Sequence, residues 1–166
     1  SFDYDRIQGK KIIARRARPG EKIMSLDGVE RELTGEMLVI ADADRAVAIA
    51  GVMGGANTEV TDGTQTILLE AASFKPASIY HTSRYLHLSS ESSMRFERGI
   101  RPDMTIPALK QATRLLVELC GGRAAQGIID IYPAKHEPSP VVMPLGLIKR
   151  TLGIDFSTSQ VLEVLS

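Results

Sequence analysis

A single cysteine, Cys120, stands in a chain of 166 residues. An internal disulfide framework is thereby excluded, and a lone thiol suits a reducing compartment. Lys+Arg and Asp+Glu balance at 20 each. No global positive field exists to hold a polyanion, so any nucleic-acid contact must rest on a local patch. No apolar run approaches the roughly 18 residues of a membrane span, and no signal peptide is visible. Cytoplasm is the expected location, with no membrane partner. Internal repeats and low-complexity tracts are absent. So are several catalytic signatures: there is no G-x-S-x-G elbow and no Walker lysine after a glycine loop. His81 and His87 miss the i, i+4 spacing of a helical metal pair and have no Cys cluster nearby. No metal site is expected, and both histidines read as structural or surface residues.

What the chain does have is 43% hydrophobic and 24% charged residues, the balance of a folded domain with a packed core. Its length fits one domain of ordinary size, or one plus a fragment of another. It opens without methionine on strand-like "SFDYDRI" and stops at Leu165-Ser166 inside a helix-like segment. It is therefore expected to be a piece of a longer polypeptide.

The first seventy residues read as strands and tight turns. "KIIARRA" is β-branched, "ARPGEKI" supplies a Pro-Gly turn, and Asp27-Gly28 in "SLDGVERELT" signals a hairpin. "MLVIAD" and "AVAIAGVMGG" are continuous apolar runs, as in strands covered on both faces, and "QTILLEAASF" reads as another. Helix signals begin at Ser73, a candidate cap, with Pro76 in the first turn of "KPASIYHTSRYLHL". The clearest helix is "DMTIPALKQATRLLVELCGG", where Ala108, Leu109, Ala112, Leu115, Leu116, Leu119 and Cys120 recur at helical spacing. In such a helix Cys120 is expected to be buried and inert. "QGIIDIYP" reads as a strand, and the Pro-rich "AKHEPSP" as a linker. Two short helices follow, with Gly153 and a Ser157 or Thr158 cap between them. The fold class expected is α+β: a mixed, barrel-like sheet assembly with helices at about 75–88 and 103–120 packed on it.

Four features invite a functional reading beside a plainer one. In "GVMGGAN", Gly51, Gly54 and Gly55 permit close approach of a ligand to backbone, although turn chemistry alone accounts for most such glycines. In "SSESSMRFERG", serine hydroxyls can orient a polar group and Arg95 and Arg98 can pair with Glu97 or a phosphate; a capped turn with surface ion pairs is the bland alternative. Lys10, Lys11, Arg15, Arg16, Arg18 and Lys22 form the one basic cluster, facing either an RNA backbone or only solvent. In "TILLEAASF", Glu70 has apolar neighbours on either strand face, where an unpaired charge costs several kcal/mol. It is either rescued at a strand edge or held inward for a purpose.

Taken together, "GVMGGANTEV", "LLEAASFKPASI", "SRYLHLSSESSMRFERGI" and "ATRLLVELCGG" closely resemble the bacterial phenylalanyl-tRNA synthetase beta subunit. Residues 1–135 resemble most of its editing domain, and 136–166 the linker and start of the small winged-helix-like domain after it. The family is an (αβ)₂ heterotetramer that joins phenylalanine to tRNA(Phe) with ATP and magnesium. The resemblance places that synthetic site on the alpha subunit, so no cofactor is expected in this region. This region is implied to hydrolyse tyrosine wrongly esterified to tRNA(Phe). A second site is physically needed, because an apolar pocket rejects an added hydroxyl by only about 10², whereas a pocket that hydrogen-bonds it discriminates by roughly 10⁴ to 10⁵.

By the same resemblance Glu70 matches the glutamate that accepts the tyrosine phenol, and Gly54 a glycine lining that pocket. Ser90 falls where many members have threonine. Ser92 falls where alanine is usual, which adds a polar atom to the pocket. A histidine of the family's "HAFD"-like motif would come immediately before Ser1. None of the three histidines present falls on a site position. No catalytic side chain is assigned; the expected device is a water positioned by backbone near Gly54 and Gly55 and by the Ser90 hydroxyl, with the terminal ribose hydroxyl assisting. Two other readings stand beside editing: a structural or RNA-docking module whose editing has decayed, and a stand-alone aminoacyl-tRNA deacylase-like domain.

Overall fold

The computed structural model describes residues 1–133, 135 and 140–165. Their contacts divide the chain into two compact units, Ser1–Ala125 and Gln126–Ser166. The "AKHEPSP" stretch and the expected 135/136 boundary lie largely outside the described residues.

In the first unit the strands are β1 (Phe2–Asp3), β2 (Ile13–Arg16), β3 (Lys22–Met24), β4 (Glu30–Glu32), β5 (Leu38–Ala41), β6 (Ala46–Ile49), β7 (Met53–Gly54) and β8 (Ile67–Leu68). They form a four-stranded sheet ordered β2-β5-β6-β7 and two small pairs, β1-β8 and β3-β4. Every described pairing is antiparallel. The α+β class holds. In place of a mixed, barrel-like assembly there is one open sheet with two short ribbons.

The continuous apolar runs are the middle of this sheet. β6 is buried along its whole length and β5 nearly so. One side packs Ile23, Leu33, Met37, Val39, Ile49 and Val52 with Ile79; the other packs Ile40, Val47 and Ala48 against Phe2 and Ile7. β2 forms an edge of the sheet, and its charged Arg15 and Arg16 discourage further strand pairing. Asp42 closes the β5–β6 turn, its Oδ1 accepting the Asp44 and Arg45 N–H groups at 2.9 Å each and its Oδ2 the Gln8 N–H at 3.0 Å. The Asp27-Gly28 hairpin forms between β3 and β4 as its turn residues predict.

Three helices complete the unit: α1 (Pro76–Tyr85), α2 (Glu91–Phe96) and α3 (Thr105–Cys120). Pro76 starts α1 as expected, but Ser73 does not cap it; its hydroxyl donates to the Ile100 carbonyl at 2.6 Å instead. α1 enters the core through Ile79, with Leu88 just beyond it. α3 was expected to pack on the sheet as well, yet it buries no residue fully. Its apolar stripe, Ile106, Leu109, Ala112 and Leu116, is half covered, Leu119 is 80% exposed, and Cys120 is exposed rather than buried. "QTILLEAASF" is a strand only at Ile67–Leu68, so Glu70 lies in irregular backbone beyond it. β8 ends early because its only partner, β1, is two residues long.

In the second unit, "QGIIDIYP" forms no strand, and no strand among the described residues offers it a partner ladder. The unit holds α4 (Leu145–Leu152) and α5 (Thr158–Leu165), with Gly153 after α4. Ser157 caps α5, its Oγ accepting the Gln160 N–H at 3.3 Å. No residue of either helix is buried. Among the described residues no helix is long and apolar enough to cross a membrane.

Candidate functional site

The segment after β6 makes the sharpest backbone demands in the molecule. Gly51 adopts φ +68°, and a Cβ there would meet Ile79 Cδ1 and Phe74 Cδ2 at 2.9 Å each. The chain then turns into β7, and just after it Gly55 lies against the sheet: a Cβ would come within 2.7 Å of the Val47 carbonyl and 2.8 Å of Asn57 Oδ1. Gly54 differs. A methyl group there would meet Leu26 Cδ1 at 2.9 Å, the end of a flexible and half-exposed side chain. Leu26 is brought over by the β3–β4 hairpin, which is tied to β7 by the Leu26 N–H donating to the Gly54 carbonyl at 3.0 Å.

Gly54 and Gly55 line a cavity of about 220 Å³ together with Ser1, Phe2, Leu26, Thr58, Glu59 and Val60. Phe2, Leu26 and Val60 give it apolar walls. Thr58 is almost fully buried, at 1% exposure, whereas Glu59 is exposed. The Thr58 hydroxyl and the neighbouring Asn57 Oδ1 are both buried without a hydrogen-bond partner among the described residues. Each such orphan costs about 1–3 kcal/mol, and two in adjacent residues of one short turn set this place apart. The Asn57 amide is oriented by its Nδ2, which donates to the Ala46 carbonyl at 2.9 Å.

The residues expected at a common site are only partly brought together. Gly54 and Gly55 share the cavity. Glu70 is half-buried and does not line it, although it lies two residues beyond Leu68, the β8 partner of the cavity residue Phe2. Burial pushes the Glu70 carboxyl above its usual range. Ser90 and Ser92 do not line the cavity either. Their hydroxyls hold the turn before β7, Ser90 Oγ donating to the Val52 carbonyl at 2.6 Å and Ser92 Oγ to the Gly51 carbonyl at 3.0 Å. Ser90 is also the N-cap of α2 in a reciprocal capping box with Ser93. The groups expected to position a water are thus engaged: the Gly55 N–H donates to the Val47 carbonyl at 2.8 Å and the Ser90 hydroxyl is committed to Val52.

Three of the six side chains of the basic cluster, Lys10, Arg15 and Lys22, are ion-paired. Arg15 grips Glu21 with both guanidinium arms, at 2.7 and 2.8 Å, and Glu21 also accepts the Arg18 and Ala46 N–H groups. Chiefly because of the Arg15 bond, the Glu21 carboxyl falls to about 2. Arg16 donates to the Glu36 carbonyl, Lys10 to the Tyr4 carbonyl, and Lys22 pairs with Glu30. Among the described residues, only Lys11 and Arg18 of the cluster carry side-chain charges without an ion pair or side-chain hydrogen bond. In α2, Arg95 pairs with Glu91 rather than Glu97. His81 stacks edge-on against Tyr80 at 5.7 Å. Among the described residues no three His, Cys, Asp or Glu side chains converge as a metal site would require.

Sequence reasoning missed Leu26, Thr58 and Glu59. Thr58 and Glu59 carried a local signal, since "ANTEV" puts three polar residues one alanine beyond the glycine pair. Leu26 had none, because only the hairpin's tertiary contact brings it there.

An open antiparallel sheet with α1 packed on it through Ile79, and a glycine-lined cavity at the end of β7, define an α+β domain. Residues 1–121 match the family described as the B3/4 domain, and the chain belongs to that family. It is similar to the phenylalanine–tRNA ligase beta subunit of Moorella thermoacetica, 52% identical over 99% of this chain and 20% of that protein. The beta subunit of Dehalococcoides mccartyi (strain 195) is 48% identical over 93% of this chain and 19% of that protein. That of Carboxydothermus hydrogenoformans is 45% identical, with 99% and 21% covered. The chain spans about a fifth of the length of the curated relatives it matches.

Proposed function

We propose that this chain is the editing module of a phenylalanine–tRNA ligase beta subunit, hydrolysing the ester that joins tyrosine to tRNA(Phe). The observation that carries the reading is the Gly54–Gly55 cavity, of about 220 Å³ and walled in part by Phe2, Leu26 and Val60, in a chain so similar to those subunits. Its partners are then tRNA(Phe) and the alpha subunit of an (αβ)₂ enzyme in the cytoplasm. ATP and magnesium serve synthesis at the alpha subunit's site, and no step of the hydrolysis runs through them.

In this reading the absence of a side chain at Gly54 leaves room for the aromatic ring. Glu70 accepts the phenol hydroxyl; its support is a half-buried carboxylate with a raised pKa just beyond the strand that pairs with Phe2. Phenylalanine would leave that carboxylate without its partner, and the discrimination follows. In the full-length enzyme, Glu70→Ala is expected to leave phenylalanine charging intact while tyrosyl-tRNA(Phe) accumulates. Unchanged hydrolysis of tyrosyl-tRNA(Phe) by that variant would remove Glu70 from its role.

A second reading, an RNA-docking module whose editing has decayed, draws on a specific observation. The Ser90 and Ser92 hydroxyls are both engaged by backbone carbonyls, and Glu70 does not line the cavity. Wild-type enzyme without tyrosyl-tRNA(Phe) hydrolysis would decide for it. Salt-dependent tRNA binding that weakens on charge reversal at Lys11 and Arg18 would then locate the docking face.

A further inference from the structure

Residues 71–90 include no aspartate or glutamate, in a chain whose charges otherwise balance at 20 each. Helix α1 occupies the middle of that stretch. Its buried residues are Ile79, Thr82 and Ser83, and Tyr80, His81, Arg84 and Tyr85 fall together on the opposite, exposed face. Tyr80 is 46% exposed and Tyr85 64%, so both rings offer flat surface to solvent. The Arg84 guanidinium lies 5.2 Å from the centre of the Tyr80 ring, and forms no ion pair among the described residues. The one large aliphatic side chain of α1, Ile79, faces the core, so a hydrophobic protein partner would find no apolar centre to seat on.

At the end of α1 lies a recess of about 230 Å³, lined by Ser83, Arg84, His87, Leu88 and Ser89. His87 holds φ +47° just after the helix cap, where glycine is the usual residue. The negative end of a helix ordinarily repels an anion. Here the carbonyls of Thr82, Ser83 and Arg84 accept the N–H groups of Leu86, Leu88 and His87, and that of Leu86 accepts Arg31 Nη1 at 3.3 Å. The side chains left facing the recess include three donors: the Arg84 guanidinium, the His87 imidazole and the Ser89 hydroxyl. We infer that this face binds unpaired RNA, a phosphate entering the recess against Arg84, His87 and Ser89 while neighbouring bases stack on Tyr80 and Tyr85. Only unstacked bases can lie flat on an exposed ring, so the strand is single rather than duplex. The inference rests on the reading of the chain as a module that works on tRNA(Phe), and assigns the surface that steadies the strand leading to the esterified end. Ser89 precedes Ser90, whose hydroxyl holds the Val52 carbonyl at the turn into β7, so the recess and the cavity are tied to one turn of backbone. These are positioning residues and make or break no bond.

The test compares hydrolysis of tyrosyl-tRNA(Phe) with that of tyrosyl-adenosine by the full-length enzyme. The second substrate carries the same ester without the preceding nucleotides. Tyr80→Ala and Tyr85→Ala are each expected to lower kcat/KM for tyrosyl-tRNA(Phe) by about tenfold, mainly through KM, and to spare tyrosyl-adenosine. Arg84→Gln is expected to act in the same direction and to flatten the salt dependence of KM. His87→Gly suits the left-handed position at least as well as histidine, so its loss on the tRNA substrate would not reflect unfolding. Independently of hydrolysis, a 4-thiouridine-substituted oligouridylate is expected to crosslink to the α1 peptide of the full-length enzyme, and to do so less in Tyr80→Ala. Variants that leave both substrates unchanged, or that lower both alike, overturn the inference and leave the editing reading standing. A wild type that hydrolyses neither substrate removes the editing reading, and the crosslink then decides the inference by itself. No crosslink at α1 overturns it and gives that face to a protein contact or to solvent.

Discussion

Ser90 Oγ donates a 2.6 Å hydrogen bond to the carbonyl of Val52, 38 residues earlier in the chain. The same oxygen accepts the Ser93 N–H at 3.0 Å as the cap of α2. One hydroxyl thereby fixes both the start of a helix and the turn that delivers β7 to the cavity. Ser90→Ala loses both bonds, and leaves the Val52 carbonyl to find another donor. A loss of about 1–2 kcal/mol is expected, read as a lower urea midpoint at unchanged m-value. Ser92→Ala, which gives up one bond from a half-buried hydroxyl, is expected to lose only about 0.5–1 kcal/mol. A Ser90→Ala variant as stable as wild type would return that hydroxyl to the pool of ligand-binding candidates.

The two adjacent glycines of the cavity are expected to respond oppositely to a methyl group. At Gly55 the new carbon would strike the Val47 carbonyl at 2.7 Å, which is backbone of the central strand and cannot yield. At Gly54 it would strike the tip of Leu26, which can rotate away. Gly55→Ala is expected to cost about 1–3 kcal/mol or more in stability. Gly54→Ala should unfold near the wild-type midpoint while occupying part of the cavity and weakening tyrosine hydrolysis. Equal thermal shifts for the two variants would contradict this division of labour.

These contrasts show what the sequence could and could not convey. The runs of β5 and β6 were legible, because a strand buried on both faces needs an unbroken apolar stretch and little else satisfies one. Asp27-Gly28 gave its hairpin from local turn chemistry. Glu70 was legible as an anomaly, but the length of its strand was not, since β8 depends on a two-residue partner at the other end of the unit. α3 was legible as a helix from its 3.6-residue spacing. Which of its residues end up covered depends on neighbours that spacing does not specify. The pairing of Arg15 was not legible for a related reason: Glu21, only six residues from Arg15, reads as an ordinary turn residue until the guanidinium closes on it. Ser90 and Ser92 were marked by their hydroxyls, while the carbonyls that engage them lie some 40 residues away along the chain.

The Arg15–Glu21 pair carries a pH dependence of definite sign. Glu21 ionises at about 2 in the folded chain against an ordinary 4.5. A depressed carboxyl contributes stability that is complete above about 4.5 and is lost as pH falls toward 2. The pair is mostly shielded from solvent, and the loss is on the order of 2–3 kcal/mol. Glu21→Gln is expected to be less stable at neutral pH and to show a flatter acid limb in urea titrations between those values. Arg15→Gln should behave alike, and should change RNA binding less than reversal of Lys11 or Arg18. An acid limb of wild-type steepness in Glu21→Gln would mean that other carboxylates carry the effect.

Glu70 is expected to respond in the opposite direction over the adjoining range. Its folded carboxyl is raised above an ordinary 4.5 by burial. The folded chain therefore holds this proton more tightly than the unfolded chain. Its contribution to stability is present below about 4.5 and falls away as pH rises through the elevated folded value. At neutral pH the half-buried carboxylate is a cost to the free protein, one that a phenol hydrogen bond would offset. Glu70→Gln, nearly equal in shape and without the charge, is expected to be more stable than wild type at pH 7 and to lose that advantage below pH 4. Urea unfolding of the two proteins at both pH values measures it. A stability difference that does not change with pH would show that the Glu70 carboxylate is solvated like any surface group, and the case for its reading a substrate hydroxyl would go with it.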